Sequence, residues 1–245
     1  MVLTLASGVT LPLVRIPGGE FSMGSSDFDL YRDPDEKPKH MVHLDEYLIG
    51  KYEVTVAQFR AFVKSTGYKN YYTDSDVLPA GKEVHPVIFV SWNDAVAFCQ
   101  WASQVTRRTV RLPTEAEWEK AARGTDGRIY PWGNESPDSN RCNYNADVGY
   151  TTPVGRYSPS GDSPYGCVDM AGNVLEWLND WYQKNYYLIS PGSNPNGPTY
   201  GNNKVLRGSG WYRPAVYLRA ACRFGRDPEN RLGVIGFRCA VSPGT

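Results

Sequence analysis

Asp169-Met-Ala-Gly-Asn-Val-Leu-Glu-Trp177 places two carboxylates seven residues apart, with a Gly-Asn turn between them. A second oxygen-rich stretch, Asn143-Tyr-Asn-Ala-Asp147, lies upstream. Hard cations such as calcium take about six to eight oxygens, with carbonyls from tight turns supplementing carboxylates. Two such staples would explain how a loop-rich region stays ordered. The alternative, that these side chains satisfy loop backbone, is the commoner fate of Asn and Asp.

The surroundings make order without regular structure the central problem. Asp126 to Pro164 is rich in Gly, Pro, Asn, Asp and Ser, and a loop of that length inside a domain is functional or pinned. Short apolar runs at Val174–Trp177, Val205–Leu206 and Ile235–Val241 suggest strands. Upstream, Leu13 to Gly24 suggests a strand, a turn and a strand, and His40 to Tyr52 one further strand. Asp27 to Lys39, charged and proline-bearing, suggests a surface loop.

Three helices have clear start signals. Thr55 and Gln58 form a capping-box pattern ahead of Phe59, Phe62 and Val63, with Gly67 as the stop. Ser91 and Asp94 open a second helix through Val96, Phe98, Cys99 and Trp101. Thr114 and Glu117 open a short third, ended by Gly124, with acids at the positive end of its dipole.

The chain has 245 residues, with 24 Gly, 18 Pro, 7 Trp and 17 Tyr, which suits a compact fold with much ordered loop. With no internal repeat or linker, one domain over 1–245 is expected. Lys+Arg and Asp+Glu both number 26, so no basic footprint points to nucleic acid. No apolar run approaches the roughly 18 residues of a membrane span, and the N-terminal stretch lacks a signal-peptide pattern. Cys99, Cys142, Cys167, Cys222 and Cys239 contain no CxxC pair, which argues against zinc and for a reducing, cytoplasmic compartment. His40 and His43 fall on opposite faces of a strand, and His85 precedes Pro86 in a loop, so none marks a metal site. Cys222 has no adjacent histidine to activate it and is expected to be a buried thiol.

Arg207 to Arg238 is distinctive: Arg207, Arg213, Arg219, Arg223, Arg226, Arg231 and Arg238 alternate with Trp211, Tyr212, Tyr217 and Phe224. Arginine and aromatic residues dominate binding hot spots, but arginine also serves as a structural fork for loop carbonyls and carboxylates. Composition leaves a contact surface and a solvated edge of the core equally open.

Pro17-Gly-Gly-Glu-Phe-Ser-Met-Gly, Glu53-Val-Thr, Val90-Ser-Trp-Asn-Asp-Ala, Arg111-Leu-Pro-Thr-Glu-Ala-Glu-Trp-Glu, Pro131-Trp-Gly, Asp169-Met-Ala-Gly-Asn-Val-Leu-Glu-Trp and Ile235-Gly-Phe-Arg-Cys, in that order, resemble the formylglycine-generating enzyme (sulfatase-modifying factor) family. The resemblance implies an α+β, C-type-lectin-like fold, low in regular structure. It implies structural calcium, with one site at Asp169, Gly172, Val174 and Glu176 and another at Asn143, Tyr144, Asp147 and Gly149. It also implies that Cys99 and Cys239 lie close enough to pair.

Enzymes of that family oxidise a sulfatase cysteine with two cysteines and copper. The corresponding segment here, Gly208-Ser-Gly-Trp-Tyr-Arg-Pro-Ala-Val-Tyr-Leu-Arg, holds no cysteine before Cys222, so no copper and no catalytic residues are expected. Gly-Ser-Gly also replaces the family's Gly-Gly-Ser.

Trp211-x6-Leu-Arg-Ala-Ala-x-Arg-x3-Asp-Pro-x-Asn-Arg-x3-Ile-Gly-Phe-Arg is similar to the variable region of diversity-generating retroelement proteins. That subgroup implies adenine-directed diversification, which cannot yield Lys, Glu, Gln, Met or Trp. Tyr212, Arg213, Pro214, Val216, Tyr217, Phe224, Gly225, Arg226, Leu232, Gly233 and Val234 interrupt the fixed motif and obey that restriction. With Trp211 they form the expected ligand-binding set, inside a variable region 207–240, for a protein or other macromolecular partner. Non-catalytic binding is the leading expectation. A formylglycine-generating-type oxidase is the alternative, and a structural partner domain a third.

Overall fold

In a computed structural model, residues 1–27, 29–70 and 79–242 are described; parts of the expected 1–245 domain and position 28 of the Asp27–Lys39 loop lie outside them. Strand β1 (Val2–Ala6) forms a hairpin with β2 (Val9–Ile16), and β3 (Gly19–Met23) pairs antiparallel with β4 (His40–Leu44). Strand β5 (Tyr47–Gly50) then joins β2. Further on come β6 (Val110–Arg111), β7 (Leu175–Trp181), β8 (Lys204–Arg207), β9 (Phe224–Arg226), β10 (Ile235–Gly236) and β11 (Ala240–Val241). They make a five-stranded sheet, β1-β2-β5-β11-β6, a four-stranded sheet, β10-β7-β8-β9, and the β3-β4 pair.

The helices form where the caps predict. Helix α1 (Val56–Thr66) has the full Thr55–Gln58 capping box and ends on Gly67, whose φ of 68° is the left-handed conformation glycine adopts without steric cost. Helix α2 (Trp92–Thr106) starts on the Ser91–Asp94 box and α3 (Glu115–Arg123) on the Thr114–Glu117 box. Helices α1 and α2 bury Phe59, Phe62 and Phe98 against Phe237, with the Phe98 and Phe237 rings 5.4 Å apart. A second cluster packs Trp118 of α3 with Phe21, Tyr47, Leu178 and Val205.

Two expected single strands are each split between two sheets. In His40–Tyr52 the buried positions run Val42, Leu44, then Tyr47, Ile49. Period-two alternation slips by one residue at Asp45–Glu46, and a strand cannot keep one buried face through such a slip. So β4 stays with β3 while β5 enters the five-stranded sheet. Ile235–Val241 breaks likewise: β10 runs parallel to β7, β11 lies between β5 and β6, and Phe237, Arg238 and Cys239 cross between the sheets, fully buried. Strand β9 was not anticipated; it adds to β8 opposite β7. Asp27–Lys39 is only partly a surface loop, because Asp35 and Glu36 are buried to meet arginines from the C-terminal segment. Among the described residues no helix is long and apolar enough to cross a membrane.

Candidate ligand-binding surface

The C-terminal segment is built from buried arginines outward. Arg207, at the end of β8, meets Glu115 at 3.0 Å and Glu119 at 2.5 Å and donates to the carbonyls of Ala220 and Cys222. Arg223 forks onto Glu115 at 2.6 and 2.7 Å, and Arg219 onto Glu36 at 2.7 and 2.8 Å with Asp29 alongside at 2.8 Å. Arg238 forks onto Glu176 at 2.7 Å through both contacts, and Arg231 meets Asp94 at 2.9 Å. Burial alone would raise the Glu115 carboxyl; Arg223 and Arg207 more than offset it and hold it below the usual range. Glu115 is also the first residue of α3, where the helix dipole favours an anion.

These anchors leave the expected contact residues at the surface. Tyr212, Pro214, Arg226 and Leu232 are exposed, and Trp211, Arg213, Val216, Tyr217, Phe224, Gly225, Gly233 and Val234 are half-buried. The intervening Leu218, Arg219, Arg223, Phe237 and Arg238 are buried, whereas Asn230 and Arg231 are half-buried. In the contact set the rings form two pairs, Trp211 with Tyr212 and Tyr217 with Phe224, each 5.9 Å apart, and the Arg213 guanidinium lies between them. Gly225 and Gly233 are special within it. A Cβ at Gly225 would lie 2.7 Å from the Tyr182 ring, and one at Gly233 would lie 2.8 Å from the Phe89 ring.

The two stretches singled out for metal are hydrogen-bonded to the backbone of this surface, 169–177 buried behind it and 143–147 beside it. The Gly172 N–H donates to Gly208 O at 2.7 Å, and the Trp211 N–H donates to Asn173 O at 2.9 Å. Asn145 and Ala146, both left-handed, donate their N–H groups to the carbonyls of Arg213 and Trp211 at 2.9 and 2.8 Å. The stretches also touch each other, through Asn173 N–H to Asn143 O at 2.9 Å. A Cβ on Gly172 would fall 2.3 Å from that same oxygen, so only glycine fits there.

As metal sites the two sets fare differently. Among the described residues no three acidic, histidine or cysteine side chains converge as a ready ligand set, so an ion would need backbone and amide oxygens as well. Glu176 is committed to Arg238 and to the Trp118 indole N–H at 2.9 Å. Asp169 accepts the Gly155 N–H at 2.7 Å and is pushed up to about 6 by burial. Beside it, among the described residues, buried Glu53 accepts from the Asn173 amide at 3.0 Å through one carboxylate oxygen and has no partner for the other, and the Asn143 amide oxygen is likewise unpartnered. Burial, then the Asp169 charge, pushes Glu53 well above the carboxylate range. Glu176 alone bonds Arg238, so the residues present fit a cation that Asp169, Glu53 and neighbouring carbonyls would hold, both carboxyls ionising to do so. Sequence reasoning missed Glu53; it stood in the quoted Glu53-Val-Thr motif without a role. In the second set Asn143 is buried while Asp147 and Gly149 are exposed, all within one turn closed by Asp147 N–H to Tyr144 O at 3.1 Å and the Asn143 amide N–H to Tyr150 O at 2.8 Å.

Cys222 is a buried thiol, as expected, donating to Val216 O at 3.6 Å and pushed well up by burial. Cys99 and Cys239 are adjacent free thiols with sulfurs 3.9 Å apart. His40 packs 4.9 Å from the Tyr187 ring and His85 contacts Thr151 at 3.0 Å, both in structural roles.

The sulfatase-modifying factor enzyme 1-like domain matches residues 8–243, and the chain belongs to that family. It is 37% identical to a formylglycine-generating enzyme of Streptomyces coelicolor, over 93% of this chain and 88% of that protein. Among solved structures, PvdO from Pseudomonas aeruginosa superposes with a TM-score of 0.86 at 28% identity, covering 99% of this chain and 98% of the other. Treponema denticola variable protein 1 superposes with a TM-score of 0.81 at 27% identity, covering 99% of both chains.

Proposed function

We propose that this chain is a non-catalytic ligand-binding protein. Its segment 207–240 displays a variable contact surface on a lectin-like scaffold stiffened by calcium. The observation that carries this reading is the division of the segment. Its anchors Arg207, Arg219, Arg223 and Arg238 are buried in ion pairs, whereas all the interrupting positions remain accessible. A surface held from beneath by buried forks loses little freedom on binding, which favours affinity. The likeness to a protein named as variable supports the reading further. Calcium at Asp169 and Glu53 would draw both buried carboxyls into their ionised form beside Gly172 and Asn173, whose backbone braces the displayed loop.

The alternative, a formylglycine-generating-type oxidase, draws on the enzymes among the relatives. Against it stands the missing cysteine pair: 208–219 holds no thiol, and of the two in 207–240, Cys222 is buried and pushed well up by burial while Cys239 is buried beside Cys99. Exchanging Tyr212, Arg226 and Leu232 together, then comparing ligands captured and melting temperature, tests the binding reading. Altered capture with an unchanged Tm supports it; a large Tm loss refutes it. Copper(I) binding with conversion of a sulfatase-motif peptide by the unaltered chain would establish the oxidase instead.

A further inference from the structure

Seven arginines lie between Arg207 and Arg238, and five of them are paired with carboxylates of this same chain. Arg213 is different. Its guanidinium sits among three rings, 4.9 Å from Tyr217, 5.0 Å from Phe224 and 5.4 Å from Tyr212. Its Nε donates to the Tyr212 hydroxyl at 3.0 Å. Among the described residues its two terminal nitrogens have no hydrogen-bond partner, and no carboxylate lies within ion-pair distance.

Two physical consequences follow. Aromatic faces attract the cation and strip part of its water, while the Tyr212 hydroxyl fixes the plane of the fork. The outer edge of the guanidinium is therefore oriented and underhydrated before any partner arrives. That edge matches a carboxylate in bidentate geometry, the pairing this chain already uses at Arg219, Arg223 and Arg238. Arg226 adds a second cation. It lies two residues beyond Phe224 on β9, so it shares that strand face at a spacing of roughly 7 Å, and among the described residues it too has no carboxylate within ion-pair distance. No acidic residue occurs among the eleven displayed positions to compete.

Resting on the binding function proposed above, we infer that the surface takes an acidic protein segment. An Asp or Glu side chain docks on the Arg213 fork, and an adjoining apolar residue lies on the Tyr217–Phe224 rings. The neutral overall charge of the chain favours a discrete carboxylate contact over a nucleic-acid backbone.

The test is selection of a random displayed-peptide library on the full chain. The expected winners carry Asp or Glu beside an aromatic or aliphatic residue. A synthetic copy of the strongest winner should bind R213Q about tenfold to a hundredfold more weakly, the range for a hydrogen-bonded charge. Selection on R213E should turn the preference to Lys and Arg, which a merely unfolded variant would not do. Winners without acid enrichment that are still lost on Leu232→Asp would overturn the carboxylate assignment and leave the binding surface intact. Winners whose binding needs a phosphorylated side chain, with no affinity for the carboxylate form, would overturn it in favour of phosphate. No enrichment, or winners indifferent to both Arg213→Gln and Leu232→Asp, would sink the inference and the proposed function together.

Discussion

Arg223 and Glu115 share two hydrogen bonds, Nε to Oε1 at 2.6 Å and Nη2 to Oε2 at 2.7 Å, joining the C-terminal segment to the first residue of α3. Both side chains are almost wholly buried. Breaking a buried pair from one side leaves an uncompensated charge, at about 3–5 kcal/mol. Arg207 still faces Glu115, so Arg223→Leu should fall at the lower end, about 3 kcal/mol. The expected fall in Tm is roughly 6–12 °C by thermal denaturation. Arg226→Leu on the exposed surface should move stability by no more than about 0.5 kcal/mol.

The contact positions should divide by steric freedom. Tyr212→Ser and Leu232→Ser alter surface side chains and should cost no more than about 0.5 kcal/mol in urea denaturation. Gly233→Ala and Gly225→Ala drive a methyl against the rings of Phe89 and Tyr182 and should cost about 1–3 kcal/mol. Equal, small effects at all four positions would mean that those rings move freely and that the surface is looser than drawn.

Asp180 supplies a pH signature. Its carboxyl is pushed up to about 8, first by burial and then by the Glu115 charge. An acid whose folded value lies above its unfolded value near 3.8 favours folding while protonated. Its contribution is complete below about pH 4 and is lost as pH rises toward about 8. Asp180→Asn keeps an acceptor for the Glu115 N–H, at 3.0 Å in the parent, and removes the ionisation. Between pH 5 and 8 the parent should lose stability relative to D180N; a constant difference across that range would show that Asp180 does not titrate there.

Calcium should raise the melting temperature of the chain, and a chelator should lower it. Saturation at about a hundred times the dissociation constant corresponds to about 2.7 kcal/mol. Asp169→Asn and Glu53→Gln should each abolish the response, because each removes a carboxyl that would ionise to hold the ion in the same buried cluster. Asp147→Asn, on the exposed turn, should leave it intact. A response surviving both buried substitutions would place the ion elsewhere.

Much of the scaffold was legible in the residues themselves. Thr55, Ser91 and Thr114 marked the three helix starts because capping is local chemistry, settled within four residues. Ordered motifs from Pro17 to Cys239 marked the family, and their fixed residues bounded the display segment.

Tertiary structure decided what no local pattern holds. The splitting of His40–Tyr52 and Ile235–Val241 depends on which sheet has room for each half, and strand partners are chosen by distant neighbours. The burial of Glu36 inside a charged loop depends on Arg219, far along the chain. Asp169 and Asn143 were legible as oxygen-rich turns, but their seat against the displayed loop and beside the half-satisfied carboxyl of Glu53 follows from packing alone. The same holds for the arginines of 207–238. Sequence identified them as a group, yet only the fold separates the buried anchors from Arg213, because a guanidinium's role is set by the carboxylates within its reach.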